Sequence, residues 1–429
     1  MSIAADAFRI EMIGHASMRI RHRGTCLVVD PWWIDPLAPH SAAHYPPLVH
    51  DIGALAAETD AIYVSHVHAD HFHPPTLRHF APEVPVYIAE HRNKRFRDAV
   101  VALGLRVVEC PFREPVAVGA SAIELTMLEH DYDENAAFDS SVVVATPEFT
   151  VFDNNDCVLA PEKYDWVRSR WAIDYAFLGY SPASHYPICF EMEASEKHAL
   201  LSAAAERRYG DFVRAARRLQ PGLAVPFASG ARFLEEGERW KNAAFNSAAE
   251  AVRRLGPHGI AGTVLAPGDR IDATGSVVRH GGAPPDDAPA TIEQYARAHA
   301  DDIAALYPSD PQPSGDVTAR LRSYLLERWR HAEASLTELR RCVIGFDVDG
   351  EVFHVDFSRP RASAFAPGIP PDYDMLFRYS AAALQRKLDG EVDWDELHFS
   401  RGVAVHQRRY AKDYVKLLRS ELLDLGTTA

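Results

Sequence analysis

Ala61-Ile-Tyr-Val-Ser-His66-Val-His68-Ala-Asp70-His71-Phe-His73-Pro74 is the stretch from which the rest of the chain can be read. The apolar run Ala61 to Val64 has the length and composition of a short buried strand. Metal-ligand side chains crowd the loop behind it. His66 and His68 are two apart, so in extended backbone both imidazoles leave on the same side. Asp70 and His71 follow on a turn, and Pro74-Pro75 suits the first turn of a helix. Such a loop offers two imidazoles to one metal ion and a carboxylate with an imidazole to a second. That mixture of donors suits zinc, iron or manganese better than calcium or copper(I). A surface loop that is merely rich in histidine is the bland alternative, but the order H-x-H-x-D-H directly behind a strand argues for chemistry.

This pattern closely resembles the signature of the metallo-β-lactamase superfamily. The resemblance implies an α/β fold, the αββα sandwich, and two divalent metal ions, iron or zinc, as cofactors. It assigns His66 and His68 to the first metal and Asp70 and His71 to the second. It also implies a third ligand for the first metal at the end of a strand about sixty residues on. His130 stands there, with its neighbour Glu129 as the alternative. The strand Thr150–Phe152 runs into Asp153-Asn-Asn-Asp156-Cys157, where the family carries an Asp that bridges both metals. Asp156 fits the family register best and Asp153 competes. One of them is needed as a shared anion, because two ions about 3.5–4 Å apart repel each other. The chain departs from the family after the strand Leu223–Phe227. The usual last histidine is missing, and none occurs before His258. Either His185 takes that place in the expected ligand set, or an Asn or water does, or the second site is weak; a role for His185 in the substrate pocket is the other reading.

Composition narrows the function. With 429 residues, 47% of them hydrophobic, the chain has material for two domains with ordinary cores. A net charge of −15 argues against nucleic acid and does not favour anionic membranes. Five scattered cysteines make no disulfide framework, and none is part of the C-x-H or C-x-x-H pairs of a Rieske cluster. No basic-then-apolar leader opens the sequence, and no apolar run reaches the roughly 18 residues of a membrane span. A soluble cytoplasmic protein acting on a small molecule is expected.

Residues 8–33 alternate and break at Gly24, as in a meander of short strands. The order Gly14-His15-Ala-Ser17 … Asp30-Pro31-Trp32-Trp33 is similar to the opening of lactonase and phospholipase-D-like members of the same superfamily. That likeness implies that Asp30 orients a ligand histidine. Capping a turn before Pro31 is the competing role. His15 either touches substrate or is a buried, hydrogen-bonded histidine. Trp32, Trp33 and Tyr186 either line a pocket or pack, and Arg232 and Lys241 either hold an acidic substrate group or lie solvated on the surface.

Periodicity predicts a helical region over 76–104, strands at 105–109 and 122–128, strands at 140–145 and 150–152, a strand at 173–180 and a helix at 199–219. Pro, Gly and Asp gather at 270–290 and 307–316, which divides the chain into a metal-binding domain (1–290) and an accessory α+β domain (291–429). In the second, a helix over 317–336, a hairpin over 341–357 turning at Val348-Asp349-Gly350-Glu351, a helix over 373–388 and another from Asp393 are predicted. The segment from Gly390 to Gly402 resembles small carrier domains of the sterol-carrier type. This domain either covers the active site or makes a homodimer.

Asn155-Asp156-Cys157, Gly179-Tyr-Ser-Pro, Pro226-Phe-Ala-Ser229 and Trp394-Asp-Glu-Leu-His-Phe-Ser together resemble the CMP-N-acetylneuraminate hydroxylase family, in the part that follows its Rieske domain. That resemblance implies an iron pair that activates dioxygen, a monooxygenase whose electrons come from a separate protein. The wider superfamily implies a hydrolase, in which metal-activated hydroxide attacks an ester, lactone, thioester or phosphodiester while Asp70 or Asp156 orients it and passes a proton. The balance of these readings tips narrowly to hydrolysis.

Overall fold

Leu27 and Val29 face one side of their strand and Val28 the other, yet all three are fully buried. Strands of that kind belong to a sheet covered on both faces. The computed structural model describes residues 9–131, 138–182, 184–284, 286–331 and 342–408. Its first sheet runs, from edge to edge, through Val277–Val278, Arg270–Ile271, Ile10–Gly14, Ser17–His22, Thr25–Val29, Ala61–Tyr63, Pro85–Ala89 and Arg106–Cys110. Its second runs through Leu223–Phe227, Tyr175–Gly179, Thr150–Asp153, Ser140–Ala145, Glu124–Glu129 and Pro115–Ala117. Leu27, Val29 and Tyr63 meet Leu125, Met127, Val142 and Phe177 between the two sheets. The outer face of the first (Val28, Ile62, Val64, Val86) is covered by Leu55, Leu77, Phe96 and Val100 from helices. The outer face of the second (Val143, Phe152, Leu178) is covered by Tyr164, Val167, Phe212 and Ala215. This is the expected αββα sandwich.

The two sheets present the carboxyl ends of their parallel strands at one rim. Strands 25–29 and 61–63 are parallel neighbours in one, and 150–153, 175–179 and 223–227 in the other. Loops at such ends are where open α/β sheets place ligands. Asp30, His66 and Asp156 each follow one of these strands.

A third sheet joins Phe190–Glu191 to Val403–Gln407, Met375–Tyr379, Val343–Val348, Glu351–Asp356 and Phe365–Pro367. Phe346, Phe353, Phe377, Leu384 and Trp394 form its core. Phe190 pairs with Val405, so the chain enters this sheet once before its C-terminal part is made. Polar contacts add to that tie: His40 lies 2.9 Å from Glu235 and 3.1 Å from Asp310, which also pairs with Arg401 at 3.0 Å. Helices Pro289–Ala298 and Ala300–Leu306 pack Ile292, Ala296 and Ile303 on Ala43, Tyr45 and Leu234.

Three expectations change. The region 76–104 is not all helical: Pro85–Ala89 is a central strand between the helices Pro74–Leu77 and Arg95–Ala102. Its five residues are too few to break a helical period read over a longer window. Residues 373–388 are likewise a strand, Met375–Tyr379, followed by a helix, Ala381–Leu388, that Ser380 caps through the Ala383 N–H. Within 270–290, two short strands extend the first sheet: Arg270–Ile271 pairs with Ile10–Gly14, and Val277–Val278 pairs with Arg270–Ile271. The helix predicted over 317–336 is observed as Val317–His331, and its remainder falls outside the described residues. No helix among the described residues is long and apolar enough to cross a membrane.

Candidate metal centre

The loop Ser65–His73 is held from below by Asp30. Its backbone takes the left-handed conformation (φ 40°), which turns the side chain back over the strand ends. The buried carboxylate accepts the Ser65 N–H at 2.7 Å and the Ser65 hydroxyl at 2.7 Å, and shares a 2.7 Å hydrogen bond with His71 Nδ1. The Ser65 carbonyl accepts the Ser140 N–H at 3.1 Å, which fastens the loop to the second sheet. The His68 carbonyl accepts from His71 and Phe72 N–H and closes the turn that aims Asp70 and His71 back at His66. His73 caps the helix that follows.

Three groups of donors gather on this frame, each with its ligand atoms within 4.8 Å of one another: His66, His68 and Asp139; His66, His71 and Asp156; His15, Asp70 and His71. His66 Nε2 and His68 Nδ1 face each other at 2.8 Å, and Asp139 Oδ1 lies 3.6 Å from His66 Nδ1. His71 Nε2 is 3.7 Å from Asp70 Oδ2 and 3.7 Å from Asp156 Oδ2. His15 Nε2 is hydrogen-bonded to Asp70 Oδ2 at 3.0 Å, and the ring stands edge-on to Trp32.

Electrostatics follow from that crowding. Burial, with His71 and His68 close by, holds the His66 imidazole well below its usual range, so it is neutral with a free lone pair. His71 moves the other way: burial alone would depress it, but Asp70, Asp30 and Asp156 push it up to about 10. The same histidines outweigh burial at Asp70 and keep its carboxyl well below the usual carboxylate range. His71 Nε2 is thus a buried nitrogen with no hydrogen-bond partner, set between two carboxylates. Such a point favours positive charge, and the surrounding imidazole and carboxylate donors fit a divalent transition-metal ion.

Of the residues singled out in the sequence, the structure brings together His66, His68, Asp70, His71 and Asp156, and adds His15 to them. It separates the two candidate bridging carboxylates. Asp153 is fully buried, accepts the Asn155 N–H at 2.9 Å, and burial beside Asp30 raises it so far that it is neutral. His130 lies outside the three groups, and its neighbour Glu129 is held by Arg113 at 3.1 Å and Lys163 at 3.5 Å. Asp139 stands by His66 and His68 instead, because Ser140, bonded to Ser65, brings the residue before it to the loop. His185 also lies outside the groups: its Nε2 is 3.3 Å from Asp395 Oδ1, and its ring packs on Phe399 at 4.0 Å.

Tyr186 packs on Phe190 in the third sheet. Arg232 is buried, donates to the Ser229 and Ala231 carbonyls and lies 3.5 Å from Asp287. Trp32 and Trp33 are buried, the first packed at a tilt against His44 with ring centroids 3.9 Å apart and the second donating to Ser17 Oγ at 2.8 Å. Lys241 is buried too and donates to the Ser400 carbonyl at 3.2 Å. Asp139 and Asp395 are not among the residues that the sequence singles out. The one signal for Asp139 is its place immediately before a strand, and for Asp395 its place in the segment Trp394-Asp-Glu-Leu-His-Phe-Ser.

Residues 9–143 match the Beta-lactamase superfamily domain. The match takes in the Asp30 turn, the whole histidine loop and Asp139, so the matched segment contains the first donor group complete. The metallo-β-lactamase fold is that of metal-dependent enzymes, and the donor groups here fit divalent ions. Among similar proteins, one of Mycolicibacterium smegmatis named as a Rieske 2Fe-2S iron-sulfur protein is 25% identical over 319 residues, 69% of this chain and 61% of its own length. Cytidine monophosphate-N-acetylneuraminic acid hydroxylase of Mus musculus is 24% identical over 243 residues, 53% of this chain and 40% of its own. The chain thus spans about half the length of these curated relatives. A metallo hydrolase of Ignicoccus hospitalis superposes with a TM-score of 0.44 at 14% identity, covering 63% of this chain and 96% of that one.

Proposed function

We propose that the chain is a non-haem iron oxygenase of the hydroxylase type, acting on a small molecule with electrons delivered by a separate protein. The observation that carries this reading is the group His66, His68 and Asp139. Two imidazoles and one carboxylate with open positions match the donor set of non-haem iron(II) oxygenases, a set that some zinc hydrolases share, so the relatives weigh in the choice beside it. The wider superfamily and the absent Rieske cysteines tip the sequence reading narrowly to hydrolysis; the carboxylate of Asp139 beside His66 and His68 supports moving the proposal to oxidation. The names of the relatives, a hydroxylase and a Rieske protein, point the same way. The cysteines of this chain lack Rieske pairs, which is why a partner is invoked for the electrons.

In this reading His66, His68 and Asp139 would hold one iron, and His71, Asp70 and Asp156 would hold the second. The irons would supply dioxygen activation. The protein's own part is to hold the donors rigidly through Asp30 and Ser65, and to handle protons through His15, which is bonded to Asp70 Oδ2. The buried Trp32 behind His15 helps keep water from that side. Hydrolysis is the second reading, favoured by one observation: the His15–Asp70 pair is also suited to take the proton of an attacking water. We also propose that residues 1–290 are the metal-binding domain and 291–429 an accessory domain of sterol-carrier likeness, in the cytoplasm.

Metal content by mass spectrometry, paired with oxygen uptake after adding a reductant, tests the choice. About two irons per chain with reductant-dependent uptake supports oxygenation. Zinc, or iron without oxygen chemistry, supports hydrolysis and calls for ester, lactone and phosphodiester panels.

A further inference from the structure

The C-terminal part of the chain reaches the candidate metal centre through the carboxylate of Asp395. The short helix Trp394–Phe399 opens with a capping box in which the Glu396 N–H donates to Asp393 Oδ1 and the Asp393 N–H to Glu396 Oε2, each at 2.7 Å. Trp394 and Leu397 are buried in the core of the third sheet, so the helix cannot roll. Asp395 then faces away from that core and towards the rim of the sandwich. Its Oδ2 lies 3.8 Å from His68 Nε2 and its Oδ1 3.3 Å from His185 Nε2. His185 also reaches the Asp395 carbonyl at 3.1 Å, which fixes the carboxylate from its other side.

The two nitrogens of His68 therefore have different neighbours. Nδ1 faces His66 Nε2 at 2.8 Å, inside the donor group, and Nε2 faces the carboxylate. A neutral imidazole carries its proton on one nitrogen and offers a lone pair on the other. We propose that Asp395 is the positioning residue of His68: it holds the proton on Nε2, so that Nδ1 is the nitrogen offered to the metal. The first metal site is then completed by a residue from the far end of the chain, nearly 330 positions after the loop it serves. His185, expected as a ligand, acts one step further out by orienting Asp395. Seating of the third sheet and loading of the first site become linked, since each stabilises the arrangement the other needs.

This inference rests on the metal-binding reading, and the experiment separates the two. Zinc is titrated into the full chain against a chromophoric chelator, for the wild type, H66A, D395A and D395E, with circular dichroism to check folding. We expect two zinc ions in the wild type, loss of the first in H66A, and about 10–100-fold weaker binding of one zinc in D395A, regained in large part by D395E. Nitrogen-15 NMR of histidine-labelled, zinc-loaded wild type reads the tautomer directly, and this holds even if D395A does not fold. His68 metallated at Nδ1 with a proton on Nε2 supports the proposal. Zinc binding in folded D395A within about 2-fold of wild type, or His68 metallated at Nε2, overturns it while leaving the metal centre standing. A wild type that binds no zinc overturns both.

Discussion

Replacing Asp30 by Ala removes the acceptor on which the whole histidine loop rests. Three buried groups lose this acceptor at once, each at 2.7 Å: the Ser65 N–H, the Ser65 hydroxyl and the His71 imidazole, the last two keeping their contact with each other at 3.2 Å. Stranding one side of a buried charged pair costs roughly 3–5 kcal/mol. The Ser65 groups add to this only in part, because the loop can relax and water can enter. We expect the metal-free D30A chain to lose about 4 kcal/mol against urea, a large share of the roughly 5–15 kcal/mol that holds a typical domain together. D30N keeps the shape and one acceptor oxygen, and Asn tolerates the left-handed backbone that Asp30 adopts. It should lose only about 1–3 kcal/mol, yet bind zinc about 10–100-fold more weakly, because its amide no longer sets the tautomer of His71. Urea titration of the metal-free chains gives the first quantity and chelator competition the second. A D30A chain within about 1 kcal/mol of wild type would refute the view that Asp30 is the support of the loop. A D30N chain that binds zinc as well as wild type would refute its role in orienting His71.

H66A should lose the first metal outright and all activity with it; full activity in metal-free protein would sink the metal reading altogether. D156N should weaken metal binding far more than D153N, because Asp156 faces His71 whereas the buried Asp153 carboxyl is already neutral and its amide is a close mimic. The reverse ranking in a chelator titration would move the bridge to Asp153. Glu11 governs acid stability. Burial would raise its pKa, but hydrogen bonds from His50, Arg19 and Arg270 bring it down from 4.5 to about 2. A lowered carboxyl contributes stability that is full above about 4.5 and lost as pH falls towards 2, here roughly 3 kcal/mol. E11Q should therefore show a flatter loss of stability across that window, and an unchanged acid-unfolding profile would count against it.

The four-layer fold was legible through the family resemblance that the histidine loop carries, and many of its strands through local pattern. Strands such as 61–63, 140–145 and 223–227 are apolar runs at sheet period, and the loop behind the first carries its donors in consecutive positions. Where a short strand lay between helical segments, as at Pro85–Ala89 and Met375–Tyr379, periodicity failed because about five residues carry too little signal. His66, His68, Asp70, His71 and Asp156 were likewise within reach of sequence, since each follows a strand end whose place in the sheet is predictable.

Asp139 and Asp395 were not. The first comes to His66 because Ser140 pairs with Ser65 across two sheets, the second to His68 because a helix on a third sheet is locked by Trp394 and Leu397. Nothing near either residue in the chain records the partner it meets. The sequence by itself carried the histidine loop with its four donors, because those are set by neighbours a few residues away, and through its resemblance the sandwich and Asp156. That Asp139 lies beside His66 and His68 while His130 lies outside the donor groups, and that a carboxylate faces His68, were decided only by tertiary structure, because they depend on contacts between segments that local pattern cannot relate.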